Sequence, residues 1–442
     1  MKTPIRDFIN EYIESAPLRL HMPGHKGKDY SGFEKFDITE VDGADDLYGA
    51  NGVIAQSEKN ASKLFGARTF YSTEGSSLAI KAMLFLAIKH AKETGLAPII
   101  AAGRNAHKSF INAAALIGFD VSWIYSPTDE NYLTCKITAK SLSEFLDGQK
   151  ITPCAVYITS PDYLGNVTDV KELAKVCKAR NILLLVDNAH GAYLKFLQPS
   201  LHPIDLGADM CCDSAHKTLP CLTGGAYLHL SKNLPQRMVA QVKDAMALFG
   251  STSPSYLILQ SLDILNAYLA DGYKQKLLDY VKKVNALKEE LCAVGYVLSG
   301  NEPLKITVST KHYGYTGKEF NQILKNKGIV CEFYDPDCTV LMLTPDVNLE
   351  RLKNTLLSIP KKEKIETFPP KLNRPIKVTD IRQATLSTCE KISVKEAKGR
   401  VLASASVSCP PAVPILVCGE KIDDDAIRCF DYYGITEIFT VK

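Results

Sequence analysis

The chain has 442 residues, 46% of them hydrophobic and 23% charged, with a formal net charge of +3. That balance is the one found in globular proteins, and the length exceeds what a single core usually fills, so two or three domains are expected. Lys and Arg are spread along the chain rather than clustered, which argues against nucleic acid or an acidic membrane surface as the main partner.

The first 15 residues, MKTPIRDFINEYIES, read as an amphipathic helix of mixed charge without the continuous apolar centre of a signal peptide. No run approaches the roughly 18 apolar residues that a membrane span requires. The 13 cysteines lack paired zinc spacing, so no metal site is expected. They read as small buried hydrophobes of a cytoplasmic protein.

From about residue 52 to 230 helical patterns alternate with short apolar runs. Helices are expected over 57–65, 76–90 and 169–180, and near 107. Strands are expected over 67–71, 98–102, 121–125, 154–159, 182–186, 210–213 and 225–230. Such alternation predicts an α/β fold with a mainly parallel sheet sandwiched by helices. Helical patterns dominate from 236 to 294, and a smaller α/β stretch follows with strands expected at 304–309, 329–333 and 340–344. A charged, proline-containing connector at 360–375 precedes the last segment. There the run Cys409-Pro-Pro-Ala-Val-Pro414 is expected to be extended, since each proline fixes its own φ and restricts its predecessor. The expected organisation is an N-terminal arm (1–50), a large ligand-binding domain (51–290), a small α/β domain (291–366) and a C-terminal domain (367–442).

Four strings in the α/β region fall where loops leave strand ends, the edge at which such sheets bind ligands. STEGSS (72–77) joins a strand to a helix, so Gly75 lets backbone approach an anion while Ser76 and Ser77 donate to it. RNAHKS (104–109) places His107 at a helix start, where its ring can stack on a flat cofactor. VDNAHG (186–191) ends a strongly apolar strand on Asp187, well placed to pair with a protonated pyridine nitrogen. DSAHKTLP (213–220) presents Lys217 at another strand exit, with Ser214 and His216 on the same loop as phosphate contacts. Read alone, each string also fits an ordinary helix cap, loop cap, packing residue or surface charge. Phosphate loop, ring stacker, ring-nitrogen acid and lysine, in that order, match the plan of a fold-type I enzyme of pyridoxal 5'-phosphate (PLP).

The strings LHMPGHKG (20–27), DITEVDGADDLYGANGVIAQSE (37–58), RNAHKS, SPDYLGNVTD (160–169), VDNAHGAY (186–193) and SAHKTLPCLTGGAYLHL (214–230), with PPAVPILVCGE (410–420), carry a closer resemblance. Together they resemble the prokaryotic ornithine/lysine/arginine decarboxylases of PLP fold type I, in the short form without an N-terminal wing domain. The resemblance implies the aspartate-aminotransferase-like sheet with smaller α/β C-terminal domains. It makes Lys217 the Schiff-base lysine, Asp187 the partner of the pyridine nitrogen and His107 the ring stacker. Ala189 is implied under the other ring face, and His190 near the phenolic oxygen or the substrate carboxylate. Gly75, Ser76, Ser77, Ser214 and His216 are implied to hold the phosphate.

The expected activity is therefore decarboxylation of lysine, ornithine or arginine to a di- or polyamine precursor. The alternatives are another fold-type I reaction (transamination, aldol cleavage or elimination) and a catalytically silent PLP-binding protein. A basic substrate needs a carboxylate for its distal group, and Asp45, Asp46, Glu332 and Asp335 are the candidates; each also fits a solvated loop position. The family also implies a homodimer with shared active sites. The chain departs from the family pattern at Glu74 in the phosphate loop, at Asn188 where glutamate is commoner, at Cys409 where tyrosine is preferred, and at Ala412 where glycine is preferred.

Overall fold

The computed structural model describes residues 1–126, 132–404 and 412–442. Cys409 lies outside the described residues. The chain divides into two compact units: Met1–Ala97, Cys154–Val156 and Val170–Leu277 form the first, and Pro98–Pro153, Tyr157–Asp169 and Leu278–Lys442 the second.

Seven strands make the large sheet: β1 (Arg68–Ser72), β2 (Ile99–Gly103), β3 (Asp120–Ile124), β4 (Ala155–Thr159), β5 (Leu183–Asp187), β6 (Met210–Asp213) and β7 (Ala226–Leu230). Within the first unit the order is β1-β7-β6-β5. In the first unit β5 runs parallel to β6, with Asp187 opposite Cys212, while β7 runs antiparallel to both β6 and β1. This arrangement sends the C-terminal ends of β1, β5 and β6 and the N-terminal end of β7 to one edge. β6 and β7 are buried along their whole length, as expected of strands covered on both faces. The helix Gly75–Glu93 carries buried Leu, Ile, Met and Ala around most of its circumference, so it belongs to the interior rather than the surface.

The N-terminal helix runs from Pro4 to Glu14 with proline in its first turn, where the missing N–H costs nothing. Backbone N–H groups of Ile5 and Arg6 donate to the Asp263 carboxylate at 2.9 and 3.0 Å. Burial pushes that carboxyl up to about 6.

In the second unit β2 and β3 pair in parallel. Strands β8 (Leu298–Ser299), β9 (Lys305–Ser309), β10 (Phe333–Tyr334) and β11 (Cys338–Met342) form an antiparallel sheet in the order β10-β11-β9-β8. A two-stranded antiparallel sheet of β12 (Cys389–Ser393) and β13 (Glu437–Val441) completes it. The strand expected over 329–333 is reduced to Phe333–Tyr334. Gly328, at φ +70°, ends the helix Gly317–Asn326, and the N–H groups of Gly328 and Ile329 close back on Lys325 and Leu324. That double closure is a Schellman cap, so Ile329 serves the helix end rather than a strand. The connector at 360–375 has no regular structure, as expected. Ala412 corrects the expectation of an extended run, for it adopts φ +55°. No proline follows it directly, so the restriction on residues before proline does not reach it.

Candidate active site

Three sequence strings of the first unit meet at the common sheet edge. Asp187 ends β5 and is buried; its Oδ1 accepts from the Ala189 N–H at 3.1 Å and from the Cys212 thiol at 3.5 Å. Ala189 and His190 follow on the same loop, both buried. Beyond the end of β6, Ser214 leads into the short helix Ala215–Thr218, which projects Lys217. Lys217 Nζ lies 3.1 Å from His190 Nε2, so two of the candidate residues are in direct contact.

The expected phosphate residues assemble around the start of the helix Gly75–Glu93. The Ser214 hydroxyl donates to Ser76 Oγ at 2.8 Å, joining the lysine loop to the helix. Gly75 has φ +69° and its N–H donates to the Gly224 carbonyl at 2.8 Å. A methyl group added at Gly75 would come no nearer than 4.0 Å to its closest neighbour, His216 Cε1, so space remains above this backbone. His216 Nδ1 lies 2.9 Å from the Gly225 carbonyl, to which it donates when the ring carries its proton on Nδ1. Burial and the neighbouring Lys217 charge lower the His216 pKa. Gly224, at φ +99°, admits no side chain, since a Cβ would stand 2.7 Å from the Thr73 carbonyl oxygen.

The family departure at Glu74 is accommodated locally. Its carboxylate is exposed and accepts from the Ser251 N–H at 2.6 Å. Burial, joined by the charges of Glu74 and Asp46, pushes the Tyr48 phenol up to about 12.

Among the substrate candidates, Asp45 caps a helix. Its carboxylate accepts from the N–H groups of Asp46, Asn51, Gly52, Ile54 and Ala55 at 2.8 to 3.2 Å, at the start of the helix Val53–Phe65. Those backbone donors outweigh the burial that opposes them and hold the Asp45 pKa below its ordinary value. Asp46 accepts from Tyr48 and Gly49 N–H groups in the same turn. His107 and Glu332 belong to the second unit. His107 caps the helix Lys108–Ile117, with Nδ1 accepting from the Ser109 N–H at 3.1 Å. Glu332 is exposed and accepts from the Tyr163 hydroxyl at 2.8 Å. Asp335 caps the turn before β11 through the N–H groups of Asp337 and Cys338.

Behind the lysine loop lies a buried cluster that the sequence did not announce. Asp213 Oδ2 accepts from His202 Nε2 and His229 Nε2, each at 3.1 Å, and Oδ1 accepts from Asn188 Nδ2 at 2.6 Å. All four residues are fully buried. The two histidines hold the Asp213 carboxyl far below its ordinary range despite its burial. His229 takes a hydrogen bond from Thr69 on Nδ1 and, being buried, has a lowered pKa. In sequence, His202 and His229 look like ordinary core histidines, and only the position of Asp213 on the lysine string was a signal.

Comparison with known proteins places the chain in a family. Residues 3–350 match the model of the Orn/Lys/Arg decarboxylase major domain, and residues 366–442 match that of the C-terminal domain. The chain is similar to the uncharacterized protein YaaO of Bacillus subtilis (29% identity, 97% of this chain and 93% of that one). It is also similar to an arginine decarboxylase of the same organism (27% identity, 96% and 92%). Among solved structures it resembles the constitutive lysine decarboxylase of E. coli (TM-score 0.76, 16% identity, 100% and 82%). Lysine decarboxylase A of Pseudomonas aeruginosa is similar as well (TM-score 0.81, 16% identity, 99% and 80%). With both family models together spanning nearly its whole length, the chain belongs to the Orn/Lys/Arg decarboxylase family.

Proposed function

We propose that this chain holds PLP on Lys217 and decarboxylates a basic amino acid (lysine, ornithine or arginine) to the corresponding amine. The observation that carries the reading is the contact of Lys217 Nζ with His190 Nε2, on the loop that begins at the buried Asp187. The residues fit the cofactor. Open space over Gly75, two serine hydroxyls and the start of a 19-residue helix suit a phosphate. When bound, the protonated pyridine ring supplies a sink for the electron pair that the departing CO₂ leaves at Cα.

In this reading Lys217 attaches the cofactor, and Asp187 keeps the ring nitrogen protonated. His190 accepts from or donates to Lys217 Nζ, and so governs whether that nitrogen is free to react. Gly75, Ser76, Ser77, Ser214 and His216 hold the phosphate, Ala189 packs under the ring and His107 stacks on it. The distal cation of the substrate needs a carboxylate not already committed to the backbone. Asp45 and Asp46 are committed to five and two N–H groups, which favours Glu332.

We further read the protein as a cytoplasmic homodimer with shared sites. Leu18, Leu20, Met22, Tyr30 and Phe33 are exposed on the N-terminal arm, an apolar surface suited to a second copy. None of the helices among the described residues is long and apolar enough to cross a membrane.

The test offers lysine, ornithine and arginine in turn to the PLP-loaded protein, with mass spectrometry following cadaverine, putrescine and agmatine. One dominant amine, abolished by Lys217→Ala, is the expected result. Turnover by Lys217→Ala at the wild-type rate would sink the assignment.

A further inference from the structure

Asp213 does not itself face the open side of the lysine loop. It stands one residue before Ser214 and is sealed in the interior, fully buried with His202 and His229. A buried carboxylate of this kind is costly unless it is paired and hydrogen-bonded. Here three donors use it: two imidazoles on Oδ2 and the Asn188 amide on Oδ1. The shortest of the three, 2.6 Å, runs to the residue next to Asp187. A second bond crosses the same gap, from the Asn188 N–H to the Cys212 carbonyl at 3.0 Å. Beside the Lys217–His190 contact and the Cys212 thiol on Asp187, the Asn188–Asp213 pair is thus the shortest link between the loop carrying Asp187 and His190 and the strand end that leads to Lys217.

Asn188 is suited to that pairing as few residues are. Its amide donates to Asp213, whereas the glutamate more common in the family would set acid against acid in a buried site. Gly191 makes the room, since a Cβ there would overlap Asn188 Oδ1 at 2.0 Å. The histidines fix the other side of Asp213: His229 is itself pinned by Thr69, at 2.9 Å.

We propose that Asp213 is a positioning residue for the decarboxylation, which, anchored by His202 and His229, holds the Asp187 loop in register with Lys217 through Asn188. The inference rests on the assignment of Lys217 and Asp187 above. Reacting groups displaced by about 1 Å lose on the order of a hundredfold in rate, so a loosened pair should register in kcat rather than in substrate binding.

The experiment compares wild type, Asn188→Asp, Asn188→Ala and the exchange Asn188→Asp/Asp213→Asn. Each is followed by kcat and KM, by the pH titration of the bound cofactor's absorbance, and by the PLP affinity of the apoprotein. Asn188→Asp opposes two carboxylates and is expected to lower kcat about 10- to 100-fold with KM little changed, while shifting the cofactor titration. The exchange restores one donor facing one acceptor and should recover most of both. Asn188→Ala leaves the histidines on Asp213 and serves if Asn188→Asp does not fold; it too should lower kcat and shift the titration. Variants that only melt earlier, with kcat and the cofactor titration unchanged, would overturn the proposal, as would an exchange that recovers nothing. Borohydride trapping on the wild type separates the two levels of argument. Wild type that does not trap PLP at Lys217 refutes the underlying assignment, whereas trapping with unaltered variants refutes only the role of Asp213.

Discussion

Lys217 Nζ and His190 Nε2 face each other at 3.1 Å, and only one proton can lie between two nitrogens at that distance. His190 is buried, so water does not readily replace it as the lysine's partner. Its imidazole is therefore placed to exchange a proton with the lysine. General acid–base groups contribute about 10²–10⁴-fold to rate. His190→Gln is expected to lower kcat within that range while borohydride still fixes PLP at Lys217. Retention of the full kcat would remove His190 from the proton path.

Gly75 separates backbone strain from ligand access. A side chain there meets no atom closer than 4.0 Å, so its cost to the folded protein is that of φ +69°, about 1–2 kcal/mol. The same methyl group would occupy the space in which we place the phosphate. Gly75→Ala should therefore weaken PLP affinity by more than the loss of apoprotein stability accounts for. Equilibrium binding of PLP beside thermal unfolding of the apoprotein measures both. Equal losses would mean that nothing binds over that backbone.

How much of this was legible in sequence depends on whether the signal was local. Strands such as Leu183–Asp187 and Met210–Asp213 stand out because buried parallel strands are short, apolar and bounded by turn residues. The positions of Lys217 and Asp187 at strand ends were legible for the same reason, as polar residues at the ends of such runs. The strand expected at 329–333 failed because apolar residues after a glycine serve a helix cap as readily as a strand. Asp45 looked like a free acid because nothing in its string shows that five later N–H groups fold back onto it. The Asp213 cluster was hidden for a stronger reason. Its members, at 188, 202, 213 and 229, are joined by sheet register and a loop return rather than by any sequence period.

Ala412 departs from the glycine that the family prefers and adopts φ +55°, where glycine is unstrained. Its carbonyl accepts from the Lys108 N–H at 2.8 Å, next to the His107 cap, so the conformation is held in place. Ala412→Gly relieves about 1–2 kcal/mol of strain. Against that stand the loss of one buried methyl group, about 0.8 kcal/mol, and the greater freedom of glycine in the unfolded chain, about 0.5–1 kcal/mol. These nearly cancel, so the expected change in stability is within about 1 kcal/mol of zero. Chemical denaturation decides it; a loss well beyond that size would mean the methyl packing at Ala412 outweighs its strain.

His229 gives the fold an acid limit. Burial lowers its pKa more than Asp213 raises it, so the folded protein binds this proton less readily than the unfolded chain does. Stability from the neutral ring is complete above the unfolded value of about 6.5 and is lost as pH falls from there toward the folded pKa, at about 1.4 kcal/mol per unit of difference. His216, also lowered, adds a loss in the same window. Asp213 is depressed as well, but its contribution stays complete until pH falls below about 4, where the unfolded carboxylate begins to protonate. These two histidines therefore lower the unfolding midpoint between about pH 7 and pH 5, against the opposite effect of Asp263, whose carboxyl, raised to about 6, lets the folded protein take up a proton there. His229→Gln keeps an N–H for Asp213 but cannot take up a proton, so its midpoint should fall less steeply across that interval, whatever its absolute value. Parallel slopes for the two proteins would assign the acid limit to other groups and leave His229 as a packing residue.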